Sequence, residues 1–144
     1  MNFRWLTLLP LMSCISCSSY QRDFKKAALN FKAQKSPEGP WKGIWKSQKN
    51  GHQGPLWCLV SQDPGNPGLW NFRYRAGWGI MQFGDYTHQV AATMKPDGTL
   101  PVKGSMTLPK GFGTYSVEGE LTPTTFSLQY EGSGDRGTMN LSHP

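Results

Sequence analysis

The sequence predicts an all-β fold: a small eight-stranded antiparallel up-and-down barrel preceded by one short N-terminal helix. Three observations carry the prediction. With 17 Gly and 11 Pro among 144 residues, long helices are disfavoured and turns are frequent. Six Trp, seven Phe and five Tyr supply the core-building side chains that a disordered chain lacks. From Trp41 onward, apolar residues alternate with polar ones in short runs that end in Gly, Pro, Asn or Asp clusters. Such alternation places one set of side chains on a buried face and the other in water.

The helix comes first. In SYQRDFKKAALNFKAQK, residues 19 to 35, Phe24, Ala27, Ala28 and Phe31 fall at i, i+3, i+4 and i+7, one helical face. Ser19 suits its N-cap and Asp23 the positive end of its dipole. The face is expected either to lie on a membrane surface or to pack against the body. Ser36-Pro37-Glu38-Gly39-Pro40 then stops the helix and serves as a linker. The first strand, Trp41 to Gln48, places Trp41, Gly43, Trp45 and Ser47 on one face, and Asn50-Gly51 supplies a hairpin turn. The second is Leu56 to Ser61, with Leu56, Cys58 and Val60 aligned. A loop over 63–68 leads to the third, Leu69 to Arg75, where Trp70, Phe72 and Tyr74 share a face. The fourth, Tyr86 to Met94, aligns Tyr86, His88, Val90, Ala92 and Met94. Lys95-Pro96-Asp97-Gly98 turns the chain into the fifth, around Leu100 to Leu108 and interrupted by Pro101. The sixth, Gly113 to Leu121, points Tyr115, Val117 and Leu121 inward. The seventh is Phe126 to Tyr130, and the eighth runs from Arg136 to Leu141.

Sequential hairpins without crossover helices give an up-and-down order, and eight strands suffice to close a small barrel and remove exposed edges. A two-sheet sandwich is the rival arrangement. Charge is unevenly spread. Tyr20 to Lys42 carries six bases and two acids, whereas Gly43 to Pro144 carries eight bases and seven acids. A nearly neutral body argues against a nucleic-acid partner. The basic arm suits either anionic lipid head groups or a solvated tether.

The opening segment sets the expected address. Arg4 precedes an apolar run of eight residues, Trp5 to Met12. A bilayer span takes about 20 residues, so the run reads as an export signal. The triplet Leu11-Met12-Ser13 before Cys14 resembles the bacterial lipobox, with a branched apolar residue three positions before a Cys and a small one just before it. The resemblance implies a diacylglyceryl group on the Cys14 thiol and removal of residues 1–13. Cys17, preceded by Cys14-Ile15-Ser16, is the alternative. The chain thus divides into a signal peptide (1–13), a lipid-anchored tether with a basic helix (14–40) and a β-barrel domain (41–144). The residue after either Cys is Ile15 or Ser18 rather than Asp. By analogy with known sorting signals this points to the outer membrane, facing the periplasm.

Gly43-Ile44-Trp45 resembles the G-x-W signature of the calycins, the lipocalin and avidin type of eight-stranded barrel. In that family the Trp closes one end of the barrel and a basic side chain from the last strand often packs over it. The resemblance assigns those roles to Gly43, Trp45 and Arg136. The lipocalin T-D-Y-x-x-Y motif is absent, Gly84-Asp85-Tyr86-Thr87 being only a partial echo, and the body is shorter than a typical lipocalin. W-x-G-x-W-x-S…N-G-H-x-G-x-L-x-C, Trp41 to Cys58, also resembles a type of small bacterial lipoprotein with no assigned activity.

No constellation for catalysis stands out. His52 and Cys58 could meet across the first hairpin as a nucleophile pair, but Cys58 alternates with Leu56 and Val60 as a buried small hydrophobe would. No metal-ligand spacing occurs in the body, and no phosphate loop, G-x-S-x-G or H-E-x-x-H is present, so neither metal nor cofactor is expected. His88, on the face of Tyr86 and Val90, is a polar group directed into an apolar barrel. The expected function is non-catalytic binding of a small apolar or amphipathic molecule, with Trp70, Phe72, Tyr86, His88 and Tyr115 as the lining. The alternative is a structural or interaction lipoprotein with a filled core. It would act on an envelope protein partner through its surface and the apolar, glycine-flanked loop 77–84. That loop reads as a flap, a docking surface, or a strand extension buried against the helix.

Overall fold

The computed structural model describes residues 19–107 and 113–144, so Cys14, Cys17 and Leu108 lie outside the described residues. One helix, α1 (Ser19–Asn30), precedes eight strands: β1 (Gly39–Ser47), β2 (Gln53–Asp63), β3 (Asn66–Trp78), β4 (Met81–Ala91), β5 (Leu100–Thr107), β6 (Thr114–Leu121), β7 (Phe126–Gly132) and β8 (Arg136–Ser142). They form one antiparallel sheet in the order β4-β3-β2-β1-β8-β7-β6-β5. That is the up-and-down order expected of a calycin-like barrel, with first and last strands paired (Lys42 opposite Ser142, Ser47 opposite Gly137). The barrel is nearly closed. β4 and β5, the ends of the order, face each other closely enough that a Cβ on Gly104 would lie 3.2 Å from Val90. Having β6 as its one hydrogen-bonded neighbour, β5 tolerates Pro101, which has no N–H to donate.

The alternation places the inward set where expected. Leu56, Cys58 and Val60 of β2, Trp70, Phe72 and Tyr74 of β3, and Tyr115, Val117 and Leu121 of β6 are all buried. The third and fourth strands differ from expectation. Residues 77–84 form no loop: β3 runs on to Trp78, Gly79 turns the chain at φ +59°, and β4 starts at Met81. The inward series of β3 simply continues through Ala76. Between Tyr74 opposite Tyr86 and Ala76 opposite Phe83, β4 carries one extra residue, a bulge that holds Gly84 at φ +85°. At its far end β4 stops at Ala91, and Met94 is exposed rather than inward.

The helix is shorter than its sequence pattern and packs on the outside of the barrel. Tyr20 is buried, and Phe24, Ala27 and Ala28 are half-buried. Arg73 of β3 ties it down: its guanidinium pairs with Asp23 at 2.8 Å and Asp85 at 2.7 Å, and lies 5.1 Å from the Tyr20 ring. The Tyr20 hydroxyl donates back to the Arg73 carbonyl at 3.1 Å. Phe31 lies beyond the helix and stacks on His143, with ring centres 4.0 Å apart.

That stack belongs to the closed end of the barrel. Trp41 is fully buried there, donates its indole N–H to the Pro37 carbonyl at 2.9 Å, and lies 3.7 Å from the His143 ring. The two His143 nitrogens sit 2.7 Å from the Pro40 carbonyl and 2.9 Å from the Pro123 carbonyl. Phe126, Leu100 and Leu121 complete the buried layer. Linker, last strand and the β6–β7 turn are thereby fastened across one end.

Candidate ligand-binding site

The opposite end, where the β1–β2, β3–β4 and β7–β8 turns lie, is open. A pocket of about 430 Å³ enters the barrel there. Its walls are apolar and aromatic: Trp45 of β1, Leu56 of β2, Ala76 of β3, Tyr86 of β4, Tyr115 of β6, Tyr130 of β7 and Met139 of β8. The β7–β8 turn, Gly132 to Asp135, forms one lip. Inward alternation on seven strands puts these residues around one ring.

Polar groups fix the rim. The Trp45 indole donates to the Gly77 carbonyl at 2.9 Å, joining β1 to the end of β3. Asp135 accepts from the Ser47 hydroxyl and the Arg136 backbone N–H (2.8 Å) on Oδ1, and from the Tyr130 hydroxyl at 3.0 Å on Oδ2. Burial, reinforced by Asp135, raises the Tyr130 pKa, so this phenol stays neutral and donating. Burial also pushes Tyr86 up to about 12 and raises Tyr115 and Tyr74.

Beneath the pocket the core is filled. Trp70 and Phe72 are buried, with Tyr74 6.2 Å from Phe72 and 5.5 Å from Tyr86. His88 lies beside Tyr115, ring centres 5.5 Å apart. The indole N–H of Trp70 is buried without a hydrogen-bond partner among the described residues, while the buried hydroxyl of Tyr74 lies by the Cys58 thiol, that of Tyr115 by Tyr86, and the His88 ring by the Ser105 backbone. Burial holds the His88 pKa below its usual value; the nearby Ser105 backbone opposes this only partly. An imidazole so placed is neutral.

Of the five residues expected to line a cavity, Tyr86 and Tyr115 do so, while Trp70, Phe72 and His88 pack below it. Of those assigned by the G-x-W resemblance, Gly43 sits where β1 and β8 approach closely, and Trp45 lines the open mouth. The indole at the closed end is Trp41. Arg136 is exposed and lines grooves outside the barrel with Glu131. Among the described residues, the cations over rings are Lys42 on Trp57, 6.0 Å away, and Arg73 on Tyr20. His52 stacks on Trp78 at 5.1 Å, while Cys58 is fully buried and its thiol pKa is raised by burial. The two are not a catalytic pair. Among the described residues no group of three His, Cys, Asp or Glu could hold a metal ion. Sequence reading missed Tyr130 and Asp135, whose turn carried a usable signal: a Tyr closing one strand and an Asp five residues on, before the next.

Set against known families, curated proteins and solved structures, the chain matches none.

Proposed function

We propose that this chain binds a small apolar or amphipathic molecule in the barrel mouth and performs no chemistry on it. In this reading it works as a lipid-anchored protein of the bacterial envelope, held at the outer membrane through Cys14, with Cys17 as the alternative, and facing the periplasm. The observation that carries the binding function is the pocket of about 430 Å³ walled by Trp45, Tyr86, Tyr115, Tyr130 and Met139. Its size falls within the roughly 300–1,000 Å³ of small-molecule sites, and an apolar wall with few polar groups is their usual character. The anchor rests on the sequence of residues 1–17.

Native mass spectrometry of the processed full-length protein, purified gently from its host, tests the binding function. A reproducible extra mass lost on denaturation is expected. A bare chain mass, with no uptake of fatty acids, haem or isoprenoids offered in excess, would refute it.

One observation favours a second reading, an interaction lipoprotein acting through its surface. Trp78 is half-exposed and Ile80 fully exposed at the tip of the β3–β4 hairpin, beside the mouth. A bare pocket, together with loss of a crosslinked envelope partner on changing Trp78 and Ile80 to Ser, would select it.

A further inference from the structure

Building on the reading of the pocket as a binding site, we infer that it selects an organic cation: a small molecule with an apolar body and an amine or quaternary ammonium head. Among the described residues of the lining, Asp135 is the one acidic or basic side chain; no described Lys, Arg or His lines it. The three groups that hold this carboxylate, the Ser47 hydroxyl, the Tyr130 hydroxyl and the Arg136 backbone N–H, are all neutral donors. They fix its position, and among the described residues no ion pair to it is found. The side-chain ion pairs found among the described residues, Arg73 with Asp23 and with Asp85, lie elsewhere. Lys49 and Arg136 lie with Asp135 along the groove outside the mouth, where Lys49 donates to the Gly134 carbonyl at 3.1 Å.

Oδ2 accepts one bond, from Tyr130, and a carboxylate oxygen can accept two. A ligand N–H or ammonium group can therefore approach it directly. Around it stand Trp45, Tyr86, Tyr115 and Tyr130. Such rings attract cations through their quadrupoles, the physics used in the recognition of quaternary ammonium ligands. Against poorly solvating apolar walls the attraction of a single carboxylate is stronger than in water. A carboxylate head meets the opposite situation. It would lose its hydration, face Asp135 as a like charge and find no cation among the described residues of the wall. An aliphatic alcohol should fall between the two.

The test is isothermal titration of the full-length protein with decyltrimethylammonium, decanol and decanoate, each below micelle-forming concentrations. Decanoate's alkyl tail is one methylene shorter than the other two, worth about fourfold, so an advantage of tenfold or more reports the heads. The expected order of affinity is cation, alcohol, carboxylate, with the cation about tenfold or more tighter than decanoate. Asp135→Asn keeps an acceptor for Ser47 and the Arg136 N–H, and should remove most of the cation's advantage while leaving decanol little changed. Tyr130→Phe keeps the carboxylate charge and should preserve the order. Should the Asn variant fail to fold, the wild-type order still decides. Decanoate binding as tightly as the cation overturns the inference and leaves the pocket a binder of other ligands. Failure of all three to bind, with a bare mass in the native spectrum, overturns both.

Discussion

Replacing Gly43 by Ala should break the barrel, although it adds one methyl group to a strand. An ideal Cβ built at Gly43 lies 2.0 Å from the Asn140 carbonyl oxygen, 2.7 Å from the Leu141 Cα and 2.9 Å from the Asn140 carbonyl carbon. Real Cβ atoms essentially never come within 3.0 Å of such atoms, so the strands would have to part by about 1 Å. The obstacle is backbone and has no rotamer to yield. It lies inside the β1–β8 ladder, which pairs Lys42 through Ser47 with Ser142 through Gly137 and closes the two halves of the chain on each other. Ordinary overpacking costs about 1–3 kcal/mol. Losing a ladder as well takes the expected cost beyond about 4 kcal/mol, a large share of the roughly 5–15 kcal/mol of a typical domain. Urea unfolding followed by near-ultraviolet circular dichroism should show loss of the native signal or a midpoint shift of that size. Gly51→Ala is the control: nothing lies within 4 Å of its added Cβ, and the cost there is the strain of φ +72° alone. A Gly43→Ala protein within about 1 kcal/mol of wild type would refute the close approach of β1 and β8.

Two further predictions concern pH and the anchor. Burial lowers the His88 pKa in the folded state, so the unfolded chain binds the proton more readily. Stability should therefore be complete above the unfolded value of about 6.5 and decline as pH falls below it, by at most about 1.4 kcal/mol per pH unit. His88→Leu should flatten the dependence of Tm on pH between 7 and 5; an unchanged slope would mean that His88 is not buried as a neutral ring. Cys14→Ala should leave the full chain unprocessed and without the diacylglyceryl mass on its N-terminal peptide, whereas Cys17→Ala should not. Exchange of these outcomes assigns the lipid to Cys17, and membrane retention without lipid in both variants removes the anchor.

The barrel divides into two halves with different chemistry. Around the closed end, Trp41, His143, Phe31 and Phe126 pack ring against ring; the Pro37 carbonyl accepts from the Trp41 indole, and the Pro40 and Pro123 carbonyls flank the two His143 nitrogens. Around the open end, tyrosines replace leucines and phenylalanines, and the wall stops short of filling the space. Between them lies a layer of buried polar atoms on Trp70, Tyr74, His88 and Tyr115, of which the Trp70 indole N–H has no partner among the described residues. Buried polar groups without partners are uncommon and costly.

What the sequence by itself determined is which side chains point inward. Leu56-Cys58-Val60, Trp70-Phe72-Tyr74 and Tyr115-Val117-Leu121 are readable as inward sets because a strand sends alternate residues to opposite faces whatever its partners. The order of strands was equally readable, since short turns join neighbours antiparallel. Only the tertiary structure decided the height of each inward residue. Tyr86 and His88 share one face of one strand, yet Tyr86 reaches the pocket and His88 the core, because the bulge at Gly84 and the pairing of Tyr86 with Tyr74 set the stagger of β4. Trp41 and Trp45 likewise share a face, and His143, about a hundred residues later, makes Trp41 the closed end. Asp135 reached the mouth through Ser47 and Tyr130, partners on two other strands. Alternation is local and encodes a face; depth in a barrel depends on shear, and shear is a sum over every register around the ring.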